Sequence, residues 1–338
     1  MWKIITHDQT KNLIVKSFSN DTFFHAYIIS GNRHIGKMTL ALDIAASLNC
    51  LSNSELCGSC KQCVRVFNNN HSDIKIIGDD KEGLDYNNKT ISIEVIRKIQ
   101  SESNLKPFEG KYRVYIINGA ENLSIEASNA LLKLLEEPPQ QVVFILLTID
   151  NELILPTVLS RCKQIVLRPI QNNLVEEYLL NNYDISADQA SGLSRASKGL
   201  LGWAIRAYYD SNIIIERDQI LDKLQKLIFA DDIDRFEYAK ELSNRFVKNK
   251  NDVYSDLELW VELWRDILYI KLNVPELIVN TSRKKSLYKV SQLMSNYSIV
   301  NLLRKIEETE SNLKININPR LIFESLMLDI PILQSDHI

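Results

Sequence analysis

Five short apolar runs punctuate the first half of the chain: Ala26 to Ile29, Ile74 to Ile77, Val114 to Ile117, Val142 to Leu147 and Ile165 to Leu167. Helical stretches separate them, and strands alternating with helices predict a parallel sheet covered on both faces. Between the third and fourth runs, Leu123, Ala127, Ala130, Leu131, Leu134 and Leu135 recur at offsets 0, 4, 7, 8, 11 and 12. That is the stripe of a helix packed on the sheet, and Pro138-Pro139 ends it. After about Gln171 the pattern changes to helical periodicity alone, as in Leu221, Leu224, Ile228 and later Leu257, Val261, Trp264, Leu268. The second half is predicted all-helical. Gly199 and Gly202 interrupt the pattern, and Tyr208 to Asn212 marks a change of domain after a short helical module. There is no internal repeat and no long low-complexity linker.

Composition sets limits on this picture without redirecting it. A chain of 338 residues, 45% hydrophobic and 25% charged, buries enough apolar surface for two or three domains. Its 40 Lys and Arg against 43 Asp and Glu leave a formal net charge of −3, so it has no basic excess for binding nucleic acid independently. Contact with DNA is expected to be local or made within an assembly. The start, Met1-Trp2-Lys3-Ile4-Ile5, has no hydrophobic signal core, and no run of 18 apolar residues occurs. The expected location is the cytoplasm, with no membrane partner.

Two features carry candidate chemistry. The first is Gly31-Asn32-Arg33-His34-Ile35-Gly36-Lys37-Met38, which follows the strand Tyr27 to Ser30 as a phosphate loop would. Gly31, Gly36 and Lys37 fit, but Met38 stands where a hydroxyl should hold magnesium. Thr39 is one residue late, about 100° further round a helix. A thioether is no ligand for Mg(II). After the third strand come Asn118-Gly119, where an ATPase would carry acids to organise magnesium and water. Glu121 is close by and is expected to be exposed at a helix start. Magnesium-dependent hydrolysis is therefore not expected, ATP binding is left open, and the loop reads as a strand-to-helix turn of preserved backbone shape.

The second feature is Cys50-(x6)-Cys57-Gly58-Ser59-Cys60-Lys61-Gln62-Cys63. Four thiols give the ligand number and softness of a structural Zn(II) site, with Cys50, Cys57, Cys60 and Cys63 as ligands. A redox Cys-x-x-Cys pair is the alternative, although it leaves two thiols idle. Cys162 is remote and reads as a small buried residue. Five cysteines without a signal segment argue for a reducing compartment rather than a disulfide framework.

The stretch Asn122 to Pro139, with Ala127-Ser128-Asn129-Ala130-Leu131-Leu132-Lys133-Leu134-Leu135-Glu136-Glu137, resembles bacterial clamp-loader subunits, the AAA+ proteins of the DNA polymerase III holoenzyme. So does Leu159-Ser160-Arg161-Cys162, the family's Ser-Arg-Cys motif. The thiol cluster is similar to the zinc module that follows the family's P-loop helix, and His71-Ser72-Asp73 resembles its His-Pro-Asp entry to the second strand. The resemblance is strong over about residues 1 to 168. It implies an α/β P-loop AAA+ domain over 1–168 with a zinc module at 50–63, a small helical lid over 169–208, and an all-α collar over 209–338. In this layout Thr148 falls at sensor 1, unless it only satisfies the hydrogen bonds of the strand end, and Trp260 and Trp264, at i, i+4 on one helix face, are candidate anchors of the collar's assembly surface unless they pack its core.

Departures from the gamma and tau pattern narrow the expectation. Met38, Asn118-Gly119 and Gly202, which stands at the lid arginine's place, remove three parts of an ATP site. The resemblance then implies a member with no intrinsic ATPase or polymerase activity, which lends Arg161 in trans to a neighbour's ATP site. Its implied partners are the gamma/tau and delta subunits, with the sliding clamp and primer-template DNA reached through the complex. Rival readings are an active gamma-type ATPase with an unorthodox magnesium site and a free-standing zinc nucleic-acid-binding module.

Overall fold

The structure is a computed structural model that describes residues 2–5, 7–19, 22–52, 56–78, 90–315 and 317–331. Residues 53–55 of the expected zinc module and 332–338 of the expected collar lie outside the described residues. The chain divides into two compact units. One comprises Met1–Ile185 with Ser197–Trp203, the other Ser186–Ala196 with Ala204–Ile338.

The first unit is built on five parallel strands, β1 (Ala26–Ser30), β2 (Ile74–Ile77), β3 (Arg113–Asn118), β4 (Val142–Thr148) and β5 (Lys163–Val166), in the order β2-β3-β4-β1-β5. Side chains alternate along each strand, and both faces of the central strands β1, β3 and β4 are covered. Tyr27, Ile29, Val114, Ile116, Val143, Ile145 and Leu147 join one core. Ala26, Ile28, Tyr115, Ile117, Val142, Phe144 and Leu146 join the other. Two dry faces explain why these strands read as unbroken apolar runs. Strand β5 is shifted from the expected Ile165 to Leu167. It begins at Lys163 because its backbone pairs with β1 from Tyr27 onward, although only Ile165 of the strand is buried.

The helices of this unit are α1 (Asp8–Ser19), α2 (Lys37–Asn49), α3 (Lys61–Phe67), α4 (Ile93–Ser103), α5 (Ile125–Glu136), α6 (Pro156–Leu159) and α7 (Asn172–Asn182). The apolar stripe becomes α5, which starts two residues after Leu123. Ser124 caps it, its hydroxyl accepting from the Ala127 N–H at 3.0 Å. Ahead of α2, the segment around Ile4 is pinned down. The fully buried Asp43 carboxylate accepts from the N–H groups of Lys3 and Ile4 at 2.7–3.0 Å. A second buried carboxylate, Asp73, accepts from the N–H groups of Phe108, Glu109 and Gly110 and pairs with Arg113. It fixes the connection into β3.

Helices α8 (Ala187–Ser197) and α9 (Leu201–Tyr209) follow, and the second unit continues through α10 (Asn212–Phe229), α11 (Asp232–Lys248), α12 (Lys250–Lys271), α13 (Lys284–Leu293), α14 (Asn296–Lys314) and α15 (Pro319–Asp329). No strand occurs in it among the described residues. Helix α12 is central, packing against α10, α11, α13 and α14. Both Trp260 and Trp264 lie in its core, at 1% and 2% exposure, with Trp260 stacked on Tyr238. Of the two readings left open for this pair, core packing holds and the surface anchor does not. An i, i+4 spacing puts two residues on one face without saying which way that face points, and this one points inward. The guanidinium of Arg235, also 1% exposed, donates to the carbonyls of Leu227, Ile228, Ile330 and Pro331 at 2.6–3.2 Å. One buried cation thus ties the end of α10 to the end of α15, its charge compensated by four carbonyl dipoles.

Candidate functional site

The phosphate loop, the end of β3 and the end of β4 meet at the carboxyl edge of the sheet, where open α/β sheets hold ligands. Ser30 pairs with Thr148, and the Gly31 N–H donates to the Thr148 carbonyl at 3.3 Å. Gly31 adopts φ +148°, and a Cβ there would lie 2.6 Å from the Leu167 carbonyl oxygen. This position demands glycine. The loop then enters α2 through Gly36 in the left-handed region, with no side-chain cap on the first turn.

Lys37 turns back into the loop, its ammonium donating to the Gly31 carbonyl and, at 2.9 Å, to that of Asn32. Burial pulls the ammonium down to about 8, with the Glu121 carboxylate opposing and Arg33 reinforcing. Met38 is half-buried and packs into the core beneath the loop. The Thr148 hydroxyl donates to the Asp150 carbonyl at 2.9 Å, so it satisfies the strand end rather than facing a ligand. Thr39 is half-buried one residue beyond Met38.

Glu121 is the residue that the sequence placed wrongly. It is half-buried instead of exposed, and its Oε2 is shielded from solvent without a hydrogen-bond partner. Gly119 in the left-handed region and the tight turn Ala120–Asn122 set its direction, and its charge acts on Lys37, which counting residues along a regular helix does not foresee. One carboxylate next to a thioether, an amide and a glycine is still a poor donor set for Mg(II), which favours several oxygen ligands in octahedral geometry. The residues present do not fit that ion.

Gly202, at the start of α9, donates its N–H to the His34 carbonyl of the loop at 3.0 Å. A Cβ at 202 would stand 2.5 Å from that oxygen. Only glycine permits this approach, so the position expected to lack an arginine instead presents bare backbone to the phosphate loop.

The four thiols converge. Cys50 and Cys63 are buried, Cys57 and Cys60 half-buried, and all four sulfurs lie within 4.8 Å of one another. The Cys50 and Cys57 sulfurs are 3.5 Å apart, those of Cys57 and Cys63 3.9 Å. Tetrahedral thiolates on a zinc-sized ion, with bonds of about 2.3 Å, would sit about 3.8 Å apart. The N–H groups of Ser52 and Cys57 point at the Cys50 sulfur, that of Cys60 at Cys57, and that of Cys63 at Cys60, at 3.3–3.5 Å. Such donors favour thiolate, and the Cys60 and Ser59 amides lower the Cys57 thiol to about 6. Burial pushes the Cys63 thiol upward. Together the four could hold a metal ion. Cys50 caps the C-terminus of α2, so this helix of 13 residues, about 20 Å long, carries the phosphate loop at one end and the thiols at the other.

Arg161 makes its contacts elsewhere. It follows the short helix α6, half-exposed, with Nη1 donating to the Thr157 carbonyl at 2.8 Å and to the Ser160 hydroxyl at 3.3 Å. Nη2 pairs with Glu136 at 2.6 Å. Sequence reasoning missed Glu136, although an acid in the last turn of α5 was an available signal. Cys162 is half-buried rather than fully so, and burial raises its thiol to about 12. No helix among the described residues is long and apolar enough to cross a membrane.

Comparison with known proteins gives a consistent set of relatives. A family profile described as DNA polymerase III, delta subunit, matches residues 6–171. The chain is 26% identical over 330 residues to DNA polymerase III subunit delta' of Bacillus subtilis (strain 168), with 97% of each chain covered. It is 30% identical over 320 residues to subunit gamma of Buchnera aphidicola subsp. Baizongia pistaciae (strain Bp), covering 86% of this chain and 83% of that one. Over 177 residues it is 34% identical to subunit gamma/tau of Mycoplasma pneumoniae; that stretch is 52% of this chain and 25% of the relative's length.

Proposed function

We propose, because this chain belongs to the family of DNA polymerase III clamp-loader subunits that contains gamma, tau and delta', that it works as a delta'-type subunit. It is a clamp-loader subunit of DNA replication. In this reading it does not hydrolyse ATP itself, and it inserts Arg161 into the ATP site of a neighbouring gamma or tau subunit. A planar guanidinium suits that task because it stabilises charge spread over a transferring phosphoryl group. Residues after about 209 serve as the helical collar, with gamma/tau and delta as assembly partners. The clamp and primer-template DNA are engaged through the complex, in the cytoplasm.

One observation carries this reading. Three parts of an ATP site are replaced together, by Met38, by Asn118 with Gly119, and by Gly202 against the His34 carbonyl, while Arg161 remains at the surface. Zinc is the metal that the thiol cluster best suits, held by Cys50, Cys57, Cys60 and Cys63. With four thiolates bound it has no open position, so it supplies rigidity and no chemistry to the reaction.

The purified chain alone is expected to show no ATP turnover above background, with or without DNA. A phosphate-release assay checks this, and turnover that survives repurification but vanishes in Lys37→Ala would overturn it. A gamma-type ATPase is the second reading, favoured by the Glu121 carboxylate near Lys37. That reading requires Glu121→Gln to abolish turnover.

A further inference from the structure

Glu136 ends α5, where a carboxylate faces the negative pole of the helix dipole and a Lys or Arg would be favoured instead. Its position makes sense through its partner, for Oε1 forms an ion pair with the Arg161 guanidinium, 2.6 Å from Nη2. We propose that Glu136 is a positioning residue for Arg161, fixing the guanidinium in one orientation before it meets the neighbour's phosphates. This rests on the finger role assigned to Arg161 above.

Stability does not explain the pair. The side chains are 35% and 50% exposed, and exposed ion pairs contribute little to folding. What such a pair can do is restrict a long side chain with many rotamers. Arg161 has five N–H hydrogens; the two on Nη1 go to the Thr157 carbonyl and the Ser160 hydroxyl, while Glu136 holds the Nη2 side by charge. The Nε and Nη2 hydrogens make no hydrogen bond among the described residues, so the anchored fork still has donors for phosphoryl oxygens. The anchor is itself rigid: Ser124 caps the start of α5, Leu131, Leu134 and Leu135 bury its inner face, and Pro138-Pro139 stops it directly after Glu137. A guanidinium held on both sides reaches the transition state without an orientational search.

Glu137 supplies the control. It carries the same charge at the same helix end, is exposed, and makes no ion pair among the described residues. The experiment reconstitutes the complete clamp loader with Glu136→Gln, Glu136→Asp, Glu137→Gln, Arg161→Ala and the Glu136→Gln/Arg161→Ala pair. It follows DNA-stimulated ATP hydrolysis and the affinity for ADP with aluminium fluoride, a mimic of the transferring phosphoryl group. Glu136→Gln is expected to lower kcat and analogue affinity at that site by about tenfold, the scale of ordering one arginine side chain. KM for ATP and the melting temperature stay constant. Glu136→Asp recovers part of the loss, Glu137→Gln behaves as the unmodified chain, and the double variant equals Arg161→Ala alone. If Arg161→Ala lowers activity and Glu136→Gln does not, or raises it, the positioning role is wrong and the finger role stands. If Arg161→Ala has no effect, both fall.

Discussion

Arg161→Ala in the reconstituted complex is expected to leave assembly and the melting temperature of the chain intact while reducing DNA- and clamp-stimulated ATP hydrolysis. The side chain is half-exposed, and its contacts are one carbonyl, one hydroxyl and the half-exposed Glu136, so its removal opens no cavity in the core. Its loss at the neighbour's site is different in kind. A trans-acting arginine is worth on the order of 10³-fold in phosphoryl transfer. Only the site it serves loses that factor, so total hydrolysis falls modestly while clamp loading, which needs the sites together, falls further. Arg161→Lys keeps the charge but loses the planar fork and should rescue poorly. Clamp loading at the unmodified rate by the Arg161→Ala complex would return this residue to the ordinary surface.

Stripping the metal, or replacing Cys63 with Ser, should be the most damaging change to the fold of the first unit. Cys63 is fully buried in the same core as β1 and α2, and its sulfur sits in the cluster that joins the end of α2 to the start of α3. Metal bound only by the folded state contributes directly to folding free energy. A loss of about 5 kcal/mol would lower the melting temperature by roughly 10–20 °C in a domain of this size. Cys162→Ser, outside the cluster, should cost about 1 kcal/mol. Metal analysis of protein purified without chelator should give one equivalent of zinc. Substoichiometric metal with reversible disulfide would favour the redox alternative.

Strands β1, β3 and β4 were legible because they are covered on both faces, which leaves a continuous apolar run in the sequence, and the edge strand β2 through its three isoleucines. Strand β5 was displaced because it is defined by backbone pairing to β1 while three of its four residues are exposed. The thiol cluster was legible from spacing alone, since four soft ligands within fourteen residues suit a metal ion better than any other use of cysteine. Glu121 was not, because a left-handed glycine followed by a single tight turn tucks a side chain in without an unusual composition. Nor was the Glu136 contact with Arg161, which joins residues 25 apart through packing of α5 on α6. For Trp260 and Trp264, periodicity gave the shared face, and only the surrounding helices decided that it faced the core.

The four carbonyls around Arg235 also bear on how the second unit can form during synthesis. Two of them, on Ile330 and Pro331, lie 95 and 96 residues downstream of the arginine. At about 5–20 residues per second, a ribosome needs on the order of 5–20 s to make that interval. The parallel sheet of the first unit has all its strands in hand by Val166. The helices around Trp260, by contrast, hold a cation with half its acceptors still unsynthesised until residue 331 emerges, so the core of this unit closes only then.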